Sequence, residues 1–253
     1  MRVGTVERLR RYPVKSMLGE ELRAASVTER GIAGDRAYAL LDAATGRVVS
    51  AKRPRLWAGV LGFTAATGPG GGVVVTGPDG AVVDEGGLSR RLGREVRLVD
   101  EPPQGASVQR SVPEEVLAHG PHADVGFTVD ELGCGAPPGT FVDFAPLHLL
   151  TTAALAATDG AAPERYRPNV LVRTPDGAPG FVENGWVEGE PAIGPELRPH
   201  VVTATPRCAV PTLAHGPGCR VRRRRCARPR GATGWSRRRA CPRCPASVCT
   251  PGC

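Results

Sequence analysis

Short apolar runs closed by turn residues fill the first hundred positions, and this pattern predicts strands rather than helices. AYALLDAATGRVVSA (37–51) reads as two strands around an Ala-Thr-Gly turn. GGVVVTGPDGAVVDE (71–85) repeats the arrangement around Pro78-Asp79-Gly80, where proline presets φ and glycine accepts a positive φ. PGGG (69–72) precedes a strand and not a helix, so it does not read as a phosphate loop. Residues 101–134 are polar and rich in proline and glycine, which suits a connection between domains. After it, FAPLHLLTTAALAAT (144–158) is the best helix candidate, with Thr151 or Thr152 near its start. NVLVRT (169–174), GWVEGEPAIG (185–194) and LRPHVVTATPRCAV (197–210) predict strands of a second sheet. The fold class is therefore mostly β (α+β), in two domains: 1–100, a connection over 101–134, and 135–218.

Composition changes this picture at one end. The formal charge is +8, yet 11 of the 33 Lys and Arg lie in residues 219–253, which hold none of the 25 Asp and Glu. Residues 1–218 thus carry a net −3. This body has no basic face of the kind nucleic acid needs. It holds only Cys134 and Cys208, whereas the tail holds six cysteines, so the body suits a reducing compartment and a cytoplasmic location. No apolar run is long enough to span a bilayer and no secretory leader is evident, so no membrane association is expected. The chain has only two lysines, Lys15 and Lys52. The tail itself has three readings. It could be an arginine-rich nucleic-acid arm, or a zinc knuckle around Cys241 and Cys244. The preferred reading is GC-rich coding DNA translated out of frame, which would leave the second domain without its closing strands.

Three short stretches offer chemistry. In YPVKSM and GIAGDR, Lys15, Ser16 and Arg36 supply an ammonium, a hydroxyl and a guanidinium near tight backbone, suited to an anion or, alternatively, to solvated surface. In RYRPNV, Arg167 and Asn169 flank a proline and point the same way from an extended chain. They suit a flat heterocycle or its phosphate, or else an anchored strand start. In TPRCAV, Cys208 beside Arg207 is either a small buried hydrophobe or a thiolate stabilised by arginine. Three or four protein ligands for zinc are not in sight, but a metal that brings its own ligands needs only one.

RRYPVKSMLGEEL, GIAGDRAYALLD, FAPLHLLTTAALA, RYRPNVLV and TPRCAVPTL, in this order, resemble the MOSC family with its N-terminal β-barrel domain, over roughly residues 3–215. The resemblance implies a β-barrel-like first domain and a β-barrel MOSC domain with peripheral helices. It implies a molybdenum cofactor (molybdopterin), with Cys208 as metal ligand and catalytic thiolate. Lys15, Ser16, Arg36, Thr151, Arg167, Asn169 and Arg207 match cofactor contacts. By the same resemblance the protein is an oxidoreductase that reduces a small N-oxygenated substrate, with electrons from a separate ferredoxin- or flavin-type partner. The alternative is a non-catalytic cofactor carrier or sulfur-handling module. No pyridoxal phosphate is expected, because the chain has no room for the sulfurase domain that binds it. Family members read Thr-Thr-Val-Asp after the cysteine; here Pro211-Thr212-Leu213-Ala214-His215 follows, and Pro211 has no amide hydrogen to donate.

Overall fold

The first strand, β1 (Thr5–Arg11), finds its main partner far along the chain. The computed structural model describes residues 2–133 and 135–216, with the backbone of residues 246–249. Short elements follow β1 in order: β2 (Glu20–Leu22), β3 (Val27–Thr28), β4 (Gly31–Ile32), β5 (Ala39–Asp42), α1 (Pro54–Trp57), β6 (Thr64–Thr67), β7 (Val73–Thr76), α2 (Glu85–Leu92) and β8 (Val96–Val99). The segment read as a connection carries β9 (Ser107–Ser111), α3 (Pro113–His119) and β10 (Phe127–Glu131). Beyond it lie β11 (Leu147–Thr151), α4 (Thr152–Ala156), β12 (Val170–Arg173), β13 (His200–Ala204) and β14 (Ala246–Cys249).

One six-stranded sheet, in the order β13-β14-β11-β12-β1-β2, joins both ends of the chain. Leu9 of β1 faces Val170 of β12 in an antiparallel ladder that carries a bulge between Val6 and Arg8. β11 runs parallel to β12, with Leu149 opposite Val170. The remaining ladders are two-stranded: β3–β4, β5–β8, β6–β7 and β9–β10. The fold is β-rich, and the described ladders do not themselves close into a ring.

Local chemistry accounts for the punctuation. Gly80 has φ +80° at the predicted turn, and Val83 then donates to the Val75 carbonyl, which makes the 71–85 hairpin. Asp84 caps α2 by accepting from the Gly87 amide at 2.7 Å, and Gly93 ends that helix with φ +66°. Two cores result. Met17, Trp57, Leu61, Phe63 and Leu88 fill the first, joined there by Leu213 from the far end of the body. Ile32, Leu147, Leu149, Val170 and Val201 fill the second, against one face of the large sheet. Full burial of a side chain such as Leu61 contributes about 1.5–3 kcal/mol.

Three expectations are corrected. The helix over 144–158 is only its second half, because 147–151 is strand β11. Leu147 and Leu149 pack on one face while Leu150 packs with Leu171 on the other, and a strand buried on both sides reads as a continuous apolar run. Residues 185–194 form no strand: a 3-10 turn over Val182–Trp186 takes the first part, and Ile193 makes only an isolated bridge with Leu197. The tail, expected to supply no closing strand pair, contributes one strand, β14, between β11 and β13. A ladder needs only backbone amides and carbonyls, so four small or β-tolerant residues suffice. The reading of the remaining tail as out-of-frame falls outside the described residues, as do the nucleic-acid and zinc readings.

Gly31 links the two halves tightly. It has φ +92°, and an added Cβ would lie 2.5 Å from the Pro146 carbonyl oxygen. Gly31→Ala is expected to destabilise the protein by about 1–3 kcal/mol, read as a lower urea midpoint with an unchanged slope.

Candidate functional site

Tyr12, fully buried just after β1, is the floor of a cationic cluster. Its ring lies under two guanidiniums, with Arg167 Cζ 4.3 Å and Arg36 Cζ 4.9 Å from the centroid. The Tyr12 hydroxyl donates to the Pro168 carbonyl at 3.1 Å, and its amide donates to Asp35 Oδ1 at 2.7 Å. Burial raises the Tyr12 phenol, so it stays neutral. Arg36 pairs with Asp35 and donates to Asn169 Oδ1 at 3.1 Å and to the Arg167 carbonyl at 3.3 Å. Arg167 in turn donates to the Met17 carbonyl. Burial first, and the neighbouring Arg36 next, lower the Arg167 guanidinium to about 10.

Asn169 ties this cluster to the sheet. Its Oδ1 also accepts from the His148 amide at 3.2 Å, and its Nδ2 donates to the Arg10 carbonyl at 3.2 Å. Three of the residues proposed from sequence, Ser16 (φ 66°), Arg36 (φ 47°) and Arg167 (φ 56°), have left-handed backbones. Such a conformation is costly for a residue with a side chain and persists only where its surroundings over-determine it. At Arg167 it overturns the extended chain expected before Pro168, because the hydrogen bonds made by the Arg167 side chain and carbonyl hold the left-handed turn.

Lys15 continues the cluster through Phe141. The Phe141 amide donates to the Arg36 carbonyl, and Lys15 Nζ donates to the Phe141 carbonyl at 2.8 Å. Lys15 Nζ also meets Asp143 Oδ1 at 2.9 Å, while Lys52 Nζ meets Asp143 Oδ2 at 2.8 Å. Arg110 stands 3.5 Å from the same carboxylate and 3.2 Å from Asp130. Burial lowers the Lys15 ammonium to about 8 despite Asp143. Burial would raise the Asp143 carboxyl, but Lys15, Lys52 and Arg110 outweigh it and hold it well below the usual carboxylate range. Lys15 and Ser16 are buried and Arg36 is mostly so, which sets aside the solvated-surface reading for all three. The Ser16 hydroxyl accepts from the Ala51 amide at 3.2 Å.

Arg207 enters from the other side. Its guanidinium lies over the Tyr166 ring at 5.3 Å and donates to His148 Nε2 at 2.7 Å. An arginine has no acceptor, so His148 is neutral with its proton on Nδ1. Burial and Arg207 together hold that imidazole well below its ordinary value. Cys208, next in the chain, is half-buried and a free thiol. Arg165 fixes the segment that follows by donating to the carbonyls of Pro211 at 2.9 Å and Leu213 at 2.8 Å. Thr151 is set back. Its hydroxyl caps α4 by accepting from the Ala154 amide at 3.0 Å and donates to Glu183 Oε2 at 2.7 Å. Glu183 is fully buried, and burial raises its carboxyl.

The structure therefore brings Lys15, Arg36, Arg167 and Asn169 into one bonded network, joins Arg207 to it through His148, and leaves Thr151 with a capping role. Tyr12, Asp143, His148 and Glu183 were not evident from the sequence, since each acquires its role from residues distant along the chain. Six cationic side chains, Lys15, Lys52, Arg36, Arg110, Arg167 and Arg207, stand with four carboxylates, Asp35, Asp130, Asp143 and Glu183, leaving a positive excess of two. That excess suits an anionic ligand, and the planar Arg167 guanidinium offers it a flat contact. Among the described residues no group of three or more His, Cys, Asp or Glu could hold a metal ion, so Cys208 could serve only a metal that arrives with its own ligands. A cleft of about 170 Å³ lies apart from Tyr12, between 102–106 and 131–140. Among the described residues no helix is long and apolar enough to cross a membrane.

Comparison with known proteins adds one match. Residues 3–85 match the family model for the MOSC N-terminal beta barrel domain, which contains Tyr12, Lys15, Ser16, Arg36 and Lys52. No curated protein matches the chain.

Two buried imidazoles set an acid limit on stability. Burial lowers His215 to about 4 and moves His148 in the same direction. Between those folded values and about 6.5, the unfolded chain binds protons that the folded chain refuses, so stability falls as pH falls through that window. Glu183, raised by burial, works in the opposite direction near the usual carboxylate range. His215 alone is expected to cost about 2 kcal/mol by about pH 5. Thermal melts from about pH 7 to 5 should show Tm falling, with a shallower slope in His215→Gln.

Proposed function

From the match of residues 3–85 to the MOSC N-terminal beta barrel domain, we propose that the chain is a MOSC-family protein that binds the molybdenum cofactor and acts as an oxidoreductase on a small N-oxygenated substrate. The observation that carries this reading is the buried cationic network, in which Ser16, Arg36 and Arg167 keep left-handed backbones. The donor set fits the group: guanidiniums and an ammonium suit its phosphate, the planar Arg167 guanidinium suits its pterin, and one thiol suits a metal whose other ligands come with it. When bound, the group supplies removal of oxygen from an N–O bond, with electrons from a separate ferredoxin- or flavin-type protein.

The chain's own residues divide the remaining work. Arg36 and Arg167, held by Asn169, Asp35 and the Met17 carbonyl, keep two positive charges fixed on Tyr12. Their charges are directed before any ligand arrives, so little reorganisation is needed on binding. His148 takes one hydrogen bond from Arg207 and so fixes the guanidinium next to Cys208. Cys208 offers a soft sulfur donor to such a metal. Ser16 and Lys15 sit side by side on the turn after β1, and the Lys15 charge is the one that varies near neutral pH.

Protein made in a cofactor-competent host is expected to contain near one molybdenum per chain. Cys208→Ala should lose most of the metal while keeping the pterin, whereas Arg36→Ala with Arg167→Ala should lose both. Metal analysis and pterin fluorescence read these outcomes separately. Reduction of an N-hydroxylated test compound with a chemical electron donor distinguishes an enzyme from a carrier: bound molybdenum without turnover would support the carrier. Wild-type protein that stays free of molybdenum and pterin under these conditions would overturn the reading.

A further inference from the structure

Lys15, Lys52 and Arg110 reach one carboxylate from three separate parts of the chain. Lys15 follows β1, Lys52 precedes α1 and Arg110 lies in β9, while Asp143 belongs to the segment that leads into β11. The arrangement has a bottom and a top. The Lys15 side chain is 5 % exposed, whereas the Asp143 side chain is 38 % exposed. Lys52 and Arg110 are intermediate, at 21 % and 30 %. A deep ammonium is thus covered by a carboxylate that itself meets solvent.

Charge within the group does not balance. Asp143 neutralises one of three cations, and Asp130, 3.2 Å from Arg110, neutralises another. One positive charge remains. Both Asp143 oxygens accept from lysine, one from each, so the carboxylate occupies the position at which the cations converge. Lysine has three donors and arginine five, so a tetrahedral oxyanion would find more donors here than a planar carboxylate uses. The backbone holding Asp143 is tied at Phe141, whose amide donates to Arg36, and Asp143 lies two residues beyond that tie.

We propose that Lys15, Lys52 and Arg110 form an oxyanion subsite for a phosphate-type group, and that Asp143 is its resident counter-ion, displaced when such a group binds. The inference shares Lys15 with the cofactor reading and extends it to Lys52, Arg110 and Asp143; inorganic phosphate on the apo protein tests it apart from that reading. Asp143 acts as an internal competitor: it keeps three converging cations from repelling one another in the absence of ligand, and it lowers the apparent affinity for any external oxyanion. Displacement leaves Asp143 in solvent, which it already meets.

The test uses cofactor-free full-length protein and inorganic phosphate, followed by calorimetry and by thermal melts at fixed ionic strength. Asp143→Asn removes the competing charge and is expected to bind phosphate about tenfold more tightly than wild type. Lys52→Gln, at a partly exposed position, is expected to weaken phosphate binding about tenfold in either background. Circular dichroism identifies a variant that fails to fold, and the other variant then decides. Unchanged affinity in a folded Asp143→Asn or a folded Lys52→Gln protein would overturn the proposal. Arg36→Ala separates this subsite from the tyrosine–arginine stack. If it leaves the Asp143→Asn gain intact, the subsite stands whatever becomes of cofactor binding. If it abolishes the gain, phosphate sits on the Arg36–Arg167 pair and the proposal fails.

Discussion

The carboxamide of Asn169 is the joint on which the rest depends. One side-chain oxygen receives Arg36 and the His148 amide, and the side-chain nitrogen reaches the Arg10 carbonyl. Its backbone nitrogen and oxygen meet His148 and Arg10 as well. A single residue therefore registers β1, β11 and β12 and at the same time aims a guanidinium. The arrangement requires both an acceptor and a donor at the side-chain terminus. An aspartate there would present two acceptors to Arg10's carbonyl oxygen and lose that bond.

Burial of positive charge follows from this joint. Guanidiniums are weakly hydrated and planar, so they tolerate a position over an aromatic ring, where Arg36 and Arg167 share Tyr12. Two like charges on one ring repel, and Asp35, the Arg167 carbonyl and Asn169 offset that repulsion for Arg36. On the far side, Arg207 donates to a neutral imidazole, that of His148. The network as a whole thus remains positive, and its hydrogen-bond donors are fixed by packing.

Much of the first domain was legible in the sequence because its signals are local. Pro78-Asp79-Gly80 specifies its own turn, and alternating runs on either side specify the hairpin. Arg36, Arg167 and Asn169 could be read as chemistry because GIAGDR and RYRPNV, taken together with the other motifs, resemble the MOSC family. Asp143 and His148 could not, since their surroundings depend on Lys15 and Arg207, distant in sequence. The β11 segment was misread for a physical reason: burial on both faces erases the period that distinguishes strand from helix. Thr151 was matched to a ligand contact, yet its hydroxyl serves a helix cap and Glu183, a partner the sequence gives no means of pairing with it.

The pairing of β1 with β12 also governs how the molecule assembles. Thr5 meets Arg173, so the first strand emerges from the ribosome long before its partner exists. Until then its hydrogen-bonding edge and the apolar side chain of Leu9 lack their native cover, and loop closure over so long a stretch is slow. β14 extends the delay, because it inserts between β11 and β13 only when nearly the whole chain has been made. The large sheet can therefore be completed only after its distant strands have been made, and until then its unpaired strand edges are open to non-native pairing.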